Sequence, residues 1–311
     1  MSSHVQIRAE DSMKVGASGR KLASWSSQCL FNLTLAFVVL ACVWALLPPR
    51  AEAWGRNGHR LVVNKAIETL PEKLPQGFRE FFEANRGFLL QHITDPLDII
   101  TKTPAERRNH FILLEKYGRF PFAALPRDYK AAATKFGKPK LDANGLLPWQ
   151  IGVYSKRLTE ALKDGKWEEA KLDAAILADY VAEAHDPFNT TDNFDGRLSD
   201  QAGVNERFGT ALIDRYSSFF PMRPNDAIFI NDPTDRAFEA CLSSHSWLEN
   251  ILLADRNARH GENSFNDEYY DRFYNQAAAI LIRQLSDAAT DVGSFWFTAW
   301  VNAGRPQLPS H

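Results

Sequence analysis

Cysteine is scarce in this chain, and neither sign of charge is in surplus. The 311 residues hold three cysteines, and 36 Lys and Arg stand against 38 Asp and Glu for a net charge of −2. So few cysteines exclude a disulfide scaffold. The missing basic surplus excludes a protein that grips phosphate backbones through its overall field, so any basic patch must be local. There is no internal repeat, no low-complexity segment and no period-two alternation of strand length, which excludes solenoids, fibrous repeats and disorder. An apolar content of 45% over this length suits one large or two small cores.

One stretch lacks charge altogether. Between Lys21 and Arg50 no ionisable carboxylate, lysine or arginine occurs, and residues 30–47 are almost wholly apolar. Arg8, Lys14, Arg20 and Lys21 precede the run, and Ala51-Glu52-Ala53 follows it. A basic region, an apolar core and an Ala-x-Ala ending describe a signal peptide over residues 1–53, cleaved after Ala53. The alternative is an uncleaved anchor, because the run approaches the roughly 20 residues that a spanning helix needs. Cleavage predicts an exported, periplasmic or extracellular protein of residues 54–311 with no remaining membrane span. It removes five basic and three acidic residues, leaving a net −4, and leaves Cys241 as the single cysteine. Stability must then come from the core or from bound metal. Trp54 becomes the first residue, with a free α-amine.

Apolar positions in the mature part recur at helical spacing. The pattern predicts helices over 60–70, 148–163, 167–184, 204–219 and 233–252, and a long one from a Ser264/Asp267 capping box toward Ala288. Residues 116–145 read as a long loop or a short helical piece across the surface, and 187–203 as similar. The expected fold is a single all-α domain with long loops around its site.

The helix over 167–184 carries the chemistry. Between Ala174 and Ala184 its only charges are Asp179 and Glu183, four residues apart and therefore on one face of an otherwise apolar segment. Two buried like charges are costly unless neutralised. Three agents can do so: a metal ion, an arginine from elsewhere, or a proton. His245, on an apolar helix face, reads as a satisfied core residue, and His260 as solvated. His59 differs, because Trp54-Gly-Arg-Asn-Gly-His59 places it five residues from the new terminus, with glycines that let the backbone fold back. Amine, carbonyl and imidazole are then within reach of one cation.

Trp-Gly-x-x-Gly-His after an Ala-x-Ala site resembles the mature start of the zinc-dependent phospholipase C and single-strand-specific nuclease family. The likeness continues at Asp95-Pro-Leu-Asp98 with Asn109-His110-Phe-Ile, at Gly145-Leu-Leu-Pro-Trp149, over residues 178–189 and 193–208, and over 297–306. The resemblance implies an all-α domain whose cleft holds zinc. Trp54 and His59 would hold one ion. Asp98, with Asp95 as the alternative, and His110 would hold a second, with Asp98 also the catalytic base or water-orienting group. The family's His-x-x-x-Asp-x-x-x-Pro-x-His helix falls on Asp179, Glu183, Pro187 and Asn189, so Asp179 replaces an imidazole and Glu183 takes the bridging place. A third ion would rest on Asn189, Asn205 and Gly209, which are poor ligands, so one or two zinc ions are expected. More carboxylate and less imidazole admits Mn²⁺ or Mg²⁺ instead. His185 is a substitute ligand or a residue that supports the ligands.

The implied activity is a secreted, monomeric, metal-dependent phosphodiester hydrolase acting on phospholipid or single-stranded nucleic acid. Two rivals stand beside it. One is a pseudoenzyme that keeps the fold and binds or scaffolds. The other is a carboxylate-only hydrolase, to which two acids on one side of a helix are poorly suited.

Overall fold

A helix begins immediately after Trp54. In the computed structural model, which describes residues 54–72, 74, 77–100, 103–261 and 264–309, α1 (Gly55–Thr69) takes the glycines of the Trp-to-His segment into its opening turns. The expected fold-back therefore does not occur. Gly58 serves close approach instead, because a Cβ there would stand 2.7 Å from Trp54 Cβ and 2.9 Å from Ile213 Cδ1. The expected signal peptide over 1–53 lies outside the described residues.

Four short helices follow, α2 (Phe78–Ala84), α3 (Arg86–His92), α4 (Asp95–Ile100) and α5 (Pro104–Arg107), with a 3₁₀ turn over Arg108–His110. Their apolar periodicity is too brief to announce them. The stretch over 116–145, expected as a long loop or a short helical piece, contains two short helices, α6 (Tyr129–Phe136) and α7 (Lys138–Asn144). Asp128 caps α6 by accepting from Ala131 N at 2.8 Å, and Pro139 sits in the first turn of α7.

Next come α8 (Leu147–Lys163) and α9 (Trp167–Ala184), close to the expected bounds. α9 has no internal glycine or proline, Glu168 and Glu169 complement its N-terminal dipole, and alanines at 170, 174, 175, 178, 182 and 184 let other helices come near. It packs on α8, α3 and α1. The expected helix over 204–219 is broken into α10 (Val204–Glu206), a π turn over Arg207–Ala211, α11 (Leu212–Tyr216) and a 3₁₀ turn. The widened turn starts where Arg207 reaches the buried Asp255 carboxylate, Nη2 to Oδ1 at 2.9 Å.

The expected helix over 233–252 is two, α12 (Pro233–His245) and α13 (Leu248–Arg259). Between them Ser246 Oγ donates to Ser243 O at 2.6 Å, a local bond that competes with helix continuation. α14 (Asp267–Asn302) is capped by Asn266, not Ser264, and runs fourteen residues beyond Ala288. It spans about 54 Å and packs against α1, α8, α9 and α13. The described residues contain no strand, and the fold is all-α. Among them no helix is long and apolar enough to cross a membrane.

Candidate metal centre

α1 and α9 meet where each carries polar side chains on a buried face. His59 from α1 and Asp179 from α9 are fully buried, and Glu183, one turn after Asp179, is 2% exposed. His59 Nε2 lies 3.3 Å from Asp179 Oδ1 and 3.4 Å from Glu183 Oε1. One ligand atom from each of the three falls within 4.8 Å of the others. His110, from the 3₁₀ turn after α5, closes the far side, with Nδ1 3.6 Å from Asp179 Oδ2 and 3.8 Å from Glu183 Oε1.

These separations exceed the 2.7–3.2 Å of a normal N–H···O bond. His59 Nε2, both His110 ring nitrogens and both Asp179 oxygens are buried without a hydrogen-bond partner. Such orphaned groups are rare because burial removes water's hydrogen bonds. Donor atoms bound at about 2.0–2.2 Å around a tetrahedral ion stand roughly 3.3–3.6 Å apart. The spacing thus fits a cation and does not fit direct pairing.

The ring of His59 is oriented from behind. Its Nδ1–H donates to Gly55 O at 2.8 Å, one turn earlier on α1, so Nε2 is the nitrogen that faces the carboxylates. Burial disfavours charge on both imidazoles, but the carboxylates outweigh it. Glu183 and Asp179 raise the pKa of His59 to about 9, and Glu106, Glu183 and Asp179 raise that of His110 to about 10. Burial raises Asp179, and the histidines hold Glu183 below the usual carboxylate range against the same burial. Protons therefore occupy this centre when no metal does, and metal must displace them.

Trp54 is fully buried beside the centre, its indole donating to Ala182 O at 2.7 Å, next to Glu183 in sequence. Asn189 directs its amide at the Glu183 carboxylate and its Nδ2 also lies 3.3 Å from Glu183 O, so it offers a donor toward this group and orients it. Asn205 is fully buried with both amide atoms unpartnered. The structure does not bring three expected residues into the cluster. Asp98, on α4, is half exposed and pairs with Arg56, whose Nη1 lies 3.3 Å from Oδ2. Asp95 accepts from His92 Nδ1 at 2.6 Å. His185 turns Nε2 to Asp291 Oδ2 at 2.9 Å. Two residues were missed. Asp186 is fully buried with Oδ2 unpartnered, and burial pushes its pKa up to about 8. Glu106 was signalled only by its place four residues before His110.

The sequence matches no protein-family model and no curated protein. Solved structures do match. The alpha toxin of Clostridium absonum aligns with 78% of this chain and 63% of its own, with a TM-score of 0.50 and 12% identity. The alpha-toxin of an avian strain of Clostridium perfringens aligns with 81% and 65%, with a TM-score of 0.49 and 14% identity. The chain thus spans less than two thirds of either toxin. At this identity the likeness to the first establishes the all-α fold and nothing finer.

Proposed function

We propose that this protein is an exported, metal-dependent phosphodiester hydrolase whose centre is built from His59, His110, Asp179 and Glu183. The convergence of unpartnered donor atoms from two imidazoles and two carboxylates carries this reading. The resemblance of residues 54–59, 95–110 and 178–189 to the zinc-dependent phospholipase C and nuclease family supports the substrate class. A divalent cation held there supplies a water nucleophile at neutral pH and offsets charge on phosphate oxygens. The protein's own part is to hold ligands in place: Gly55 O orients His59, Asn189 orients Glu183, and the walls of α1, α8 and α9 exclude bulk water. Cleavage after Ala53 would add the Trp54 α-amine. Zinc, one or two ions, suits the two imidazoles, and Mn²⁺ or Mg²⁺ suits the two carboxylates.

The depth of burial supports a second reading, in which the cation holds the fold together and no substrate reaches it. One experiment separates the two. The purified full chain is loaded with Zn²⁺ or Mn²⁺, its metal is counted by elemental analysis, and it is assayed on a nitrophenyl phosphodiester, phosphatidylcholine vesicles and single-stranded DNA beside His59→Ala. Hydrolysis well above the variant supports the enzyme. A full equivalent of metal with no hydrolysis favours the structural reading. Less than half an equivalent overturns both.

A further inference from the structure

A second carboxylate faces the other edge of His110. Nδ1 faces Asp179 and Glu183, and on the opposite side Nε2 lies 3.5 Å from Glu106 Oε1. Glu106 is four residues earlier, in α5, and only 20% exposed. It is itself held from two directions. The Tyr180 hydroxyl donates to Oε1, and Asn109 Nδ2 donates to Oε2 at 3.1 Å. Tyr180 directly follows Asp179 on α9, so the helix that supplies a candidate ligand also anchors the carboxylate behind His110. Burial raises the Glu106 pKa, but His110, Tyr180 and Asn109 outweigh it and keep the group ionised.

We propose that Glu106 is the positioning residue of this centre: its carboxylate, 3.5 Å from His110 Nε2, is the group toward which Nε2–H turns when a cation seats on the other edge, and so it commits Nδ1 to the cation. The inference rests on the metal reading above. An imidazole can bind a metal through either nitrogen, and the hydrogen bond made by the other decides which. His59 is committed by a neutral carbonyl, Gly55 O. His110 is committed by an anion, which makes its ring the more basic ligand. Glu106 lies behind the ring and not among the ligand atoms, so its removal changes affinity without changing the ligand set.

The test compares wild type, Glu106→Gln and Tyr180→Phe, each as the full chain, by Zn²⁺ competition with a chromophoric chelator and by the visible spectrum of the Co²⁺ form. Glu106→Gln is expected to weaken Zn²⁺ binding by about 10–100-fold with the Co²⁺ band positions kept. Tyr180→Phe is expected to weaken it by a smaller factor in the same direction, and it serves where Glu106→Gln does not fold, as judged by metal-free melting. Wild-type affinity in both variants overturns the inference alone. A Co²⁺ spectrum changed to another coordination number makes Glu106 a ligand and also overturns it. A wild-type chain that binds no cation overturns the metal reading and this inference together.

Discussion

Two buried groups in this protein pair histidine with carboxylate, and they are finished in opposite ways. Asp291 on α14 accepts from His185 Nε2 at 2.9 Å and from Arg236 at 2.7 Å through Nη2 and 2.9 Å through Nε. None of the buried side-chain atoms left without a partner belongs to this trio, and although burial raises the Asp291 pKa, His185 and Arg236 hold it low. The trio is thus closed by an arginine from α12. Among the described residues no lysine or arginine pairs with Asp179 or Glu183, the facing atoms stand 3.3–3.8 Å apart, and four of those facing atoms are unpartnered. Arginine, proton or metal were the three answers to buried acid in the sequence. The protein uses the first at Asp291, whereas at Asp179 a proton serves unless, as proposed, a metal displaces it.

The largest effect expected from that difference is functional. Asp179→Asn combined with Glu183→Gln removes both anions from the open group. Metal content falls below half an equivalent, and hydrolysis of the phosphodiester falls at least about a thousandfold, since charge stabilisation by a metal contributes several kcal/mol. At pH 10, where the histidines have lost most of their charge, the metal-free melting temperature is expected to hold or rise, because two costly buried carboxylates are gone. A metal-free variant much less stable than metal-free wild type at that pH would show the group to be a structural pair like the other.

Arg236→Met should do the reverse. It leaves Asp291 and His185 buried without their cation, a loss of about 2–4 kcal/mol, the lower end because the guanidinium is 39% exposed. Urea unfolding measures it, and Zn²⁺ affinity is expected to stay within twofold of wild type. A variant as stable as wild type would mean the two groups do not differ in closure.

Proton occupancy sharpens the contrast further. With folded pKa values near 9 and 10 against an ordinary 6.5, His59 and His110 stabilise the metal-free fold fully below about pH 6.5. That contribution is lost as pH climbs through 9 to 10. In EDTA the melting temperature should therefore fall by roughly 5 °C or more between pH 7 and pH 10. Zn²⁺ affinity should move oppositely, rising over the same range as protons leave the ligands. The Asp179→Asn, Glu183→Gln protein should show a much flatter melting profile, and an equal slope in both would place the titration elsewhere.

The same contrast marks how far the sequence could be read. α8 and α9 are long and strongly patterned, and α9 has no internal glycine or proline, so their bounds and the shared face of Asp179 and Glu183 were legible. The pairing of His59 with that face was legible only through the family-like spacing of Trp54 and His59. What was hidden depends on contacts between distant residues. His185 is next to the metal helix in sequence, yet Asp291, 106 positions away, claims it. The segment around 223–230 shows no pattern. Its amides at Arg223, Asn225, Ile228 and Ile230 are accepted by Ser286, Thr290, Ser294 and Thr298, a ladder of hydroxyls four residues apart on α14. Motif order likewise says nothing about the Arg56 guanidinium that pairs with Asp98 at the surface.

The smallest effect concerns the terminus. Trp54 is anchored whether or not the chain ahead of it is cut, because its indole bond to Ala182 and its packing over Gly58 use only the side chain. If cleavage after Ala53 supplies the α-amine as a ligand, one glycine added before Trp54 moves the amine by a residue while leaving the indole in place. Zn²⁺ affinity should then weaken by about tenfold, equivalent to about 1.4 kcal/mol, with metal-free melting unchanged. Unchanged affinity would assign the whole centre to side chains, and its four residues from α1, the 3₁₀ turn and α9 would then be the complete ligand set.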